Sequence, residues 1–190
     1  APPAPLILNS ETTRRALRFE RLIPALRDMF VAGCEVPLRH VHALAGQAEQ
    51  PGGTVLIMPA WQEGRYLGIK TVNIFPGNAE RGLPGLFSTY TLYDASTGEP
   101  LAQIEGNEIT SRRTAAASAL AASYLASAQA RSLLVVGCGR VGGLVPEAFR
   151  TVRPIERVMV WDRNEVAAKA LAERLQAQGL TAFVATDLAQ

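Results

Sequence analysis

Thiols and imidazoles are scarce in this chain. Its 190 residues include two cysteines, Cys34 and Cys138, and two histidines, His40 and His42. Two thiols that lie far apart in sequence are typical of a reducing compartment rather than of a disulfide-stabilised secreted protein, so we expect a cytoplasmic protein. His40 and His42 would share one face of a strand, but nothing beside them completes a ligand set, so no metal is predicted.

Net charge and long apolar runs are also limited. The formal net charge is +2, which is too small to indicate nucleic acid or an anionic membrane as a partner. The most apolar long stretch, residues 114–130, is rich in alanine and too short to cross a bilayer. The first ten residues, APPAPLILNS, lack the basic and apolar regions of a signal peptide. We therefore expect no membrane segment.

Lysine is the third scarce residue. Lys70 and Lys169 are the only lysines among 19 basic residues, so a lysine in an unusual place needs a reason. Lys70 falls inside a predicted strand, residues 66–75 (YLGIKTVNIF). Two interpretations fit: a charged residue that protects an edge strand from aggregation, or a buried amine with an altered pKa.

The first half of the chain has the pattern of a mixed α+β domain. Asn9 or Ser10 would cap a first helix, and apolar spacing from Phe19 onwards predicts a second helix that ends at Gly33. Pro24 fits that helix only within its first turn. Alternating and β-branched runs predict strands over residues 36–44, 54–60, 66–75, 87–94 and 100–105, the last two forming a hairpin.

The second half changes to alternating strands and helices. This pattern predicts two βαβ units of a parallel sheet, with the boundary between the two halves near residues 107–111. Helices are predicted over residues 114–128, 141–151 and 165–178, and strands over residues 132–136, 157–161 and 181–185.

A glycine-rich loop lies between the first strand and helix of this half. Gly137, Gly139 and Gly142 form the pattern G-x-G-x-x-G with Cys138, Arg140 and Val141 between them. In a dinucleotide-binding loop, the first glycine permits a tight turn, the second lets the backbone approach the pyrophosphate, and the third lets helix pack on strand. The strand-turn-helix context favours dinucleotide binding over a purely structural turn.

An acidic residue follows the next predicted strand, as dinucleotide binding requires. Asp162 closes the stretch VMVWD and is placed to bind the ribose hydroxyls, which favours NAD. Arg163 comes directly after it and fits the 2′-phosphate of NADP. We predict NAD, with NADP as the alternative.

Two arginines, Arg112 and Arg113, are predicted in the first turn of a helix. Positive charge is unfavourable there unless an anion compensates it. The pair is either a solvated helix start with an ion pair to Glu105 or Glu108, or a pocket that binds a carboxylate or phosphate.

Taken together, these residues resemble the ornithine cyclodeaminase/μ-crystallin family over nearly the whole chain. The loop is G-x-G-x-Q-A in most of that family, whereas Val141 and Gly142 replace Gln and Ala here. The motifs that carry the resemblance are V-P-L-R (36–39), M-P-A-W (58–61), G-I-K-T-V-N (68–73), R-G-L-P (81–84), D-A-S-T-G-E-P-L (94–101) and E-G-N-E-I-T-S-R-R-T-A-A-A-S-A-L-A-A (105–122).

The resemblance implies roles for residues at matching positions. Arg39 and Arg113 match arginines that bind the substrate carboxylate, and Lys70 matches the active-site lysine. Thr114 lies where the family contacts the cofactor phosphates. The remaining cofactor-binding candidates are Gly137, Gly139, Arg140, Val141, Gly142, Asp162 and Arg163.

The resemblance also implies a fold and an assembly. Residues 1–109 would form an α+β domain for substrate binding and dimerisation, and residues 110–190 the first half of a Rossmann-type NAD(P)-binding domain. The family's catalytic aspartate would lie beyond residue 190, so we expect this chain to be part of a longer protein. Family members are homodimers that act on small amino or imino acids.

Three functions remain open. We favour an NAD(P)-dependent reductase that transfers hydride to a cyclic ketimine such as Δ1-pyrroline-2-carboxylate. The first alternative is an ornithine cyclodeaminase, a lyase that converts ornithine to proline and ammonia. The second is a crystallin-like protein that binds the cofactor or a small ligand without turnover.

Overall fold

The computed structural model describes residues 4–46 and 51–187. The chain divides into two compact units. The N-terminal unit contains the residues up to 16 and residues 29–110, and the C-terminal unit contains residues 17–28 and those from 111 onwards. The sequence predicted residues 17–28 for the first domain, and the roles of the two domains stay predictions.

A six-stranded sheet forms most of the N-terminal unit. Its order is β1-β6-β5-β4-β3-β2, with β1 parallel to β6 and every other pair antiparallel. The strands are β1 (Leu6–Leu8), β2 (His40–Leu44), β3 (Gly53–Gln62), β4 (Tyr66–Ile74), β5 (Leu86–Asp94) and β6 (Pro100–Glu105). The predicted β5–β6 hairpin is confirmed.

Two details of the sheet differ from the prediction. Strand β1 was not predicted, because three residues are too few to show a period. Strand β2 begins at His40 rather than at residue 36. Pro37 has no N–H to donate to a ladder, and only an isolated bridge between Glu35 and Trp61 precedes β2.

Helices α1 (Ser10–Ala16) and α2 (Phe19–Ala32) follow β1. The Asn9 side chain caps α1, since its Oδ1 accepts the Thr12 N–H at 3.0 Å. The expectation for Pro24 was wrong: it lies inside α2, beyond the first turn. Proline removes one helical hydrogen bond there, and burial of Phe19 and Ile23 on the same helix offsets that loss.

Helix α2 ends where the sequence predicted. Gly33 has φ +76°, a conformation that glycine adopts without strain, and its N–H donates to the Met29 carbonyl at 2.8 Å. A 3-10 helix, Pro76–Arg81, lies in the loop between β4 and β5.

Helix α3 (Gly106–Leu125) begins eight residues before the predicted start at residue 114. The Glu105 carboxylate caps it, accepting the N–H groups of Asn107 at 3.1 Å and Glu108 at 2.7 Å. Gly106 is required at this start, because a Cβ there would lie 2.5 Å from the carbonyl carbon of Ser88.

The early start of α3 moves two arginines away from the helix end. Arg112 and Arg113 lie in the second turn rather than in the first. The macrodipole acts mainly on the terminal turn, so the electrostatic argument for an anion at this pair was wrong.

The C-terminal unit contains a three-stranded parallel sheet of order β7-β8-β9. Its strands are β7 (Ser132–Val136), β8 (Arg157–Trp161) and β9 (Thr181–Val184), connected by α4 (Val145–Arg150) and α5 (Glu165–Ala177). The predicted βαβ units and the α/β fold class are confirmed. Apolar residues of β8, α5 and β9 form one buried core that includes Val158, Val160, Leu171 and Leu175.

Helix α4 begins at Val145, four residues after the predicted start at 141. Residues 141–144 form hydrogen-bonded turns instead. Pro146 therefore lies in the first turn of α4, where a missing N–H costs little. None of the helices within residues 4–46 and 51–187 is long and apolar enough to cross a membrane.

Candidate functional site

Gly137 and Gly142 are required by the geometry of the loop itself. Gly137 follows β7 directly and has φ +98°. Its N–H donates to the Trp161 carbonyl at 2.8 Å, which joins the loop to β8. A Cβ on Gly142 would lie 1.8 Å from the Gly137 carbonyl oxygen. Any side chain at residue 142 would therefore force the loop apart.

Gly139 is different, because nothing in the described protein requires a glycine there. A Cβ on Gly139 would meet no atom within 4 Å, and its φ lies outside the left-handed region. Gly139 is thus unrestricted between one glycine that its backbone conformation requires and one that packing requires, and it provides the open backbone that a pyrophosphate needs. The loop residues therefore fit a dinucleotide.

Asp162 lies against this loop at the end of β8. Its Oδ2 accepts the Cys138 N–H at 2.6 Å, and its Oδ1 accepts the Asn164 N–H at 2.8 Å. These two hydrogen bonds, together with the charge of Arg163, hold the pKa of Asp162 below its usual value. The carboxylate is therefore ionised at neutral pH, and each oxygen retains a lone pair for a further donor.

The pKa of the Cys138 thiol is shifted in the opposite direction to that of Asp162. Partial burial and the nearby charge of Asp162 raise the pKa of Cys138, and the charge of Arg174 partly opposes this shift. The thiol is protonated at neutral pH, so Cys138 is a loop residue rather than a nucleophile.

Arg174 is a residue of this site that sequence analysis missed. It lies on α5, and its Nη2 donates to the Gly143 carbonyl at 2.9 Å. A Cβ on Gly143 would lie 2.7 Å from the same nitrogen. The sequence contains no signal for this contact, because an exposed arginine on a helix is unremarkable until the loop is folded beside it.

The other cofactor-binding candidates occupy varied settings. Arg140 is exposed and Val141 is half-buried in the turn after the glycines. Arg163 is exposed beside Asp162. Thr114 is half-buried on α3. Their contacts with a cofactor stay predictions.

Lys70 lies on an interior strand, which excludes one of its two interpretations. Strand β4 is hydrogen-bonded to β3 on one side and to β5 on the other. Lys70 pairs with Met58 on β3 and with Tyr90 on β5, and its side chain is half-buried. The proposal that Lys70 protects a sheet edge was therefore wrong.

Arg39 directly precedes β2 and its side chain is exposed. In the β2–β3 ladder His40 pairs with Ile57, whereas the isolated bridge before β2 joins Glu35 to Trp61, so the register changes by one residue between them. Binding of a substrate carboxylate by Arg39 stays a prediction.

The two neighbouring arginines of α3 have different environments. Arg112 is 2% exposed, its Nε donates to the Leu17 carbonyl at 2.7 Å, and its Nη2 donates to Glu147 Oε1 at 3.1 Å. Its guanidinium also lies 4.2 Å from the centre of the Phe19 ring. Arg112 is a structural residue, and no anion site is formed there.

Arg113, by contrast, is exposed and has no ion-pair partner within the described ranges. The ion pairs that the sequence suggested are not formed, because Glu105 caps α3 and Glu108 pairs with Arg14 at 2.7 Å. Arg113 is therefore available to a ligand carboxylate, as the resemblance implies.

The two histidines lie on the opposite face of the sheet from Lys70. His40 and His42 stack with their ring centres 6.4 Å apart. No group of three or more His, Cys, Asp or Glu residues suited to a metal occurs in the part of the chain that the structure describes.

The parallel sheet and the glycine loop with its acidic partner define a dinucleotide-binding type of α/β protein. Residues 6–190 match the ornithine cyclodeaminase/mu-crystallin family, and the chain belongs to that family. The recognition made from its motifs is thereby confirmed.

Individual relatives agree with this assignment. A Δ1-pyrroline-2-carboxylate reductase of Colwellia psychrerythraea is 38% identical over 159 residues, covering 83% of this chain and 50% of that protein. An archaeal alanine dehydrogenase dimer with bound NAD has a TM-score of 0.80 and 31% identity, over 95% of this chain and 56% of that one.

A third relative is a solved complex. The Δ1-pyrroline-2-carboxylate reductase of Thermococcus litoralis, in complex with NADH and L-proline, has a TM-score of 0.75 and 30% identity, over 96% of this chain and 57% of that one. The chain spans about half the length of the curated relatives it matches.

Proposed function

We propose that the protein containing this chain is an NAD(P)-dependent reductase of cyclic ketimines such as Δ1-pyrroline-2-carboxylate. The observation that carries the proposal is the occurrence, in one chain, of a glycine loop open at Gly139 and a half-buried lysine, Lys70, on an interior strand of a sheet. The similarity to reductases of that substrate supports it.

The loop residues hold the cofactor in this proposal. Gly137, Gly139 and Gly142 let the backbone approach the pyrophosphate, and Asp162 accepts hydrogen bonds from the ribose hydroxyls. Its carboxylate, ionised at neutral pH, repels a 2′-phosphate, which favours NADH over NADPH. Arg163 is the residue that would accommodate NADPH. When bound, the reduced nicotinamide supplies the hydride that the α-carbon of the imine accepts.

Three side chains handle the substrate in this proposal. Arg39 and Arg113 bind the α-carboxylate, since guanidinium groups grip carboxylates with two parallel hydrogen bonds. This grip fixes the orientation of the α-carbon. Lys70 hydrogen-bonds the carboxylate or the imine nitrogen and delivers the proton that completes reduction to proline.

Ornithine cyclodeaminase is the second candidate, because the family to which the chain belongs includes that activity in its name. Such an enzyme needs a further acid or base for the ornithine δ-amine. The reductase is favoured by the similarity to two Δ1-pyrroline-2-carboxylate reductases. Binding without turnover, as in a crystallin-like protein, is the third candidate.

The test is absorbance of reduced nicotinamide in the whole protein mixed with Δ1-pyrroline-2-carboxylate. We expect oxidation of the cofactor, faster with NADH than with NADPH. Ornithine converted to proline and ammonia without net cofactor change would contradict the reductase and support the cyclodeaminase. Cofactor binding without either reaction would support the non-enzymatic candidate.

The cofactor assignment predicts a specific effect of Gly139→Ala. The added methyl meets no protein atom within 4 Å, so we expect an unchanged melting temperature. The same methyl would occupy the space of the pyrophosphate, so the Kd for NADH should rise about tenfold or more, an effect of at least ~1.4 kcal/mol. Titration calorimetry with NADH measures this change.

A matched variant separates this effect from a general cost of replacing glycine. Gly85→Ala adds the same methyl in the N-terminal unit, where its nearest atom is the Phe75 carbonyl oxygen at an ordinary 3.8 Å. It should change neither stability nor NADH affinity. Equal NADH affinity in Gly139→Ala and Gly85→Ala would exclude the pyrophosphate from residue 139.

Two further properties belong to this proposal. We propose that the protein is a homodimer that associates through the N-terminal unit, where apolar residues such as Phe30, Val36 and Leu38 are largely exposed. A dimeric structural relative supports this assembly. A cytoplasmic location stays a prediction from cysteine usage.

A further inference from the structure

Tyr90 is the direct cross-strand neighbour of Lys70. The two residues pair in the β4–β5 ladder, so their side chains leave the sheet on the same face. On its other side Lys70 pairs with Met58 of β3. A tyrosine thus stands next to the lysine that the proposed function assigns to catalysis.

The ring of Tyr90 leans along the strand over Gly68. A Cβ on Gly68 would lie 1.8 Å from the Tyr90 hydroxyl oxygen and 2.5 Å from its Cζ. Gly68 precedes Lys70 by two residues and shares its face. The missing side chain at residue 68 therefore provides the space for the phenol, whose position is fixed by packing rather than by a polar contact.

The hydroxyl of Tyr90 has no hydrogen-bond partner among residues 4–46 and 51–187. Burial, with a contribution from the Cys34 thiol, raises the pKa of Tyr90 above its ordinary value. The phenol is therefore protonated at neutral pH and offers a donor. Tyrosine hydroxyls in partly buried positions usually find a partner, and none of the described residues supplies one here.

We propose that Tyr90 is a substrate-binding residue whose hydroxyl donates a hydrogen bond to the carboxylate of the bound imino acid. This inference rests on the proposed function and extends its binding site. A carboxylate can accept about four hydrogen bonds, so it accommodates a phenol together with two guanidinium groups. A donor held rigidly over Gly68 loses little conformational entropy on binding, which favours this role.

The test compares Tyr90→Phe with Tyr93→Phe in the whole protein. Tyr93 lies on the same strand but on the opposite face, where it pairs with Leu67. The Tyr93→Phe substitution removes the same group, a phenol hydroxyl. Removing a hydrogen bond to a charged group should raise the KM of Tyr90→Phe for Δ1-pyrroline-2-carboxylate about tenfold or more. The kcat and the Kd for NADH should remain within twofold of wild type, and the melting temperature within a few degrees. The same is expected of Tyr93→Phe.

Pyrrole-2-carboxylate provides a second readout that does not depend on turnover. It is a planar analogue with the same ring size and carboxylate, and its binding to both variants can be measured by calorimetry. Turnover by wild type with equal KM in the two variants would overturn the role of Tyr90 and leave the proposed function intact. Absence of turnover by wild type would overturn the proposed function. In that case, binding of pyrrole-2-carboxylate that is weaker in Tyr90→Phe but not in Tyr93→Phe would still support the role of Tyr90. Equal binding to the two variants, or no binding, would overturn the role of Tyr90.

Discussion

Lys70→Met is expected to lower kcat for imine reduction by about a thousandfold, within the range that general acid–base groups contribute. The reason is that the substitution removes the proton-transferring amine and little else. Methionine is unbranched and similar in length to lysine, so it fits the half-buried position that Lys70 occupies between its ladder partners Met58 and Tyr90. The Kd for NADH should stay within about twofold of wild type, because the nucleotide loop is untouched.

Steady-state kinetics measure kcat, and NADH titration measures the Kd, on the same sample. The chain offers a precise control, since Lys169 is its other lysine. Lys169 is exposed on α5, 4.0 Å from Glu173, and Lys169→Met should leave both quantities unchanged. Normal turnover by Lys70→Met would remove Lys70 from the mechanism, and loss of NADH affinity would show that the substitution acts through the fold.

Arg112→Met is expected to cost roughly 2.5–4 kcal/mol in the free energy of unfolding. The substitution leaves the Leu17 carbonyl without its donor and removes the guanidinium from the Phe19 ring, losses of about 1.5–3 and about 1 kcal/mol respectively. The pair with Glu147 adds little, because the Glu147 side chain is 57% exposed. For a chain of this size the melting temperature should fall by roughly 5–15 °C.

The adjacent arginine gives the matched comparison. Arg113→Met changes the next residue of the same helix, which is exposed and unpaired in the described structure, so thermal unfolding should be nearly unaffected. Its proposed role predicts a higher KM for the imino acid instead. Differential scanning calorimetry and kinetics on the two variants therefore give opposite patterns. A stable Arg112→Met variant would contradict the structural role of that residue.

Much of the fold was predictable because local signals and tertiary structure agree. The parallel sheet follows from apolar strands that alternate with helices, and the structure confirms the parallel pairing of β7 with β8 and of β8 with β9. Gly33 ended α2 as expected, since few residues other than glycine adopt its backbone conformation cheaply. The family was recognisable because several of its motifs occur in order, and the comparison confirms it.

The errors arose where residues that are distant in sequence determine where a helix starts or which partners a side chain has. The start of α3 depends on capping by Glu105 and on the close approach of Gly106 to Ser88, a residue of strand β5. Glutamate is not among the usual N-cap residues. Arg112 was mistaken for a possible anion ligand because its partners, Leu17 and Glu147, are remote in sequence.

The site was predictable to different depths in its two parts. The glycine loop and Asp162 follow from spacing, but the contact of Arg174 with Gly143 requires the folded loop. Whether Lys70 protects an edge or lies in the interior depends on strand order, which strand-by-strand patterns do not determine. The sheet order settles that choice in favour of an interior residue.

The hydrogen bond from the Cys138 N–H to Asp162 has a thermodynamic consequence for ligand capture. It anchors the glycine loop to the neighbouring strand through the protein's own carboxylate, so the loop has its conformation before any cofactor arrives. A preorganised loop loses little conformational entropy when a ligand binds. The same carboxylate then serves twice, as an internal anchor for the loop and as an acceptor for an incoming sugar hydroxyl.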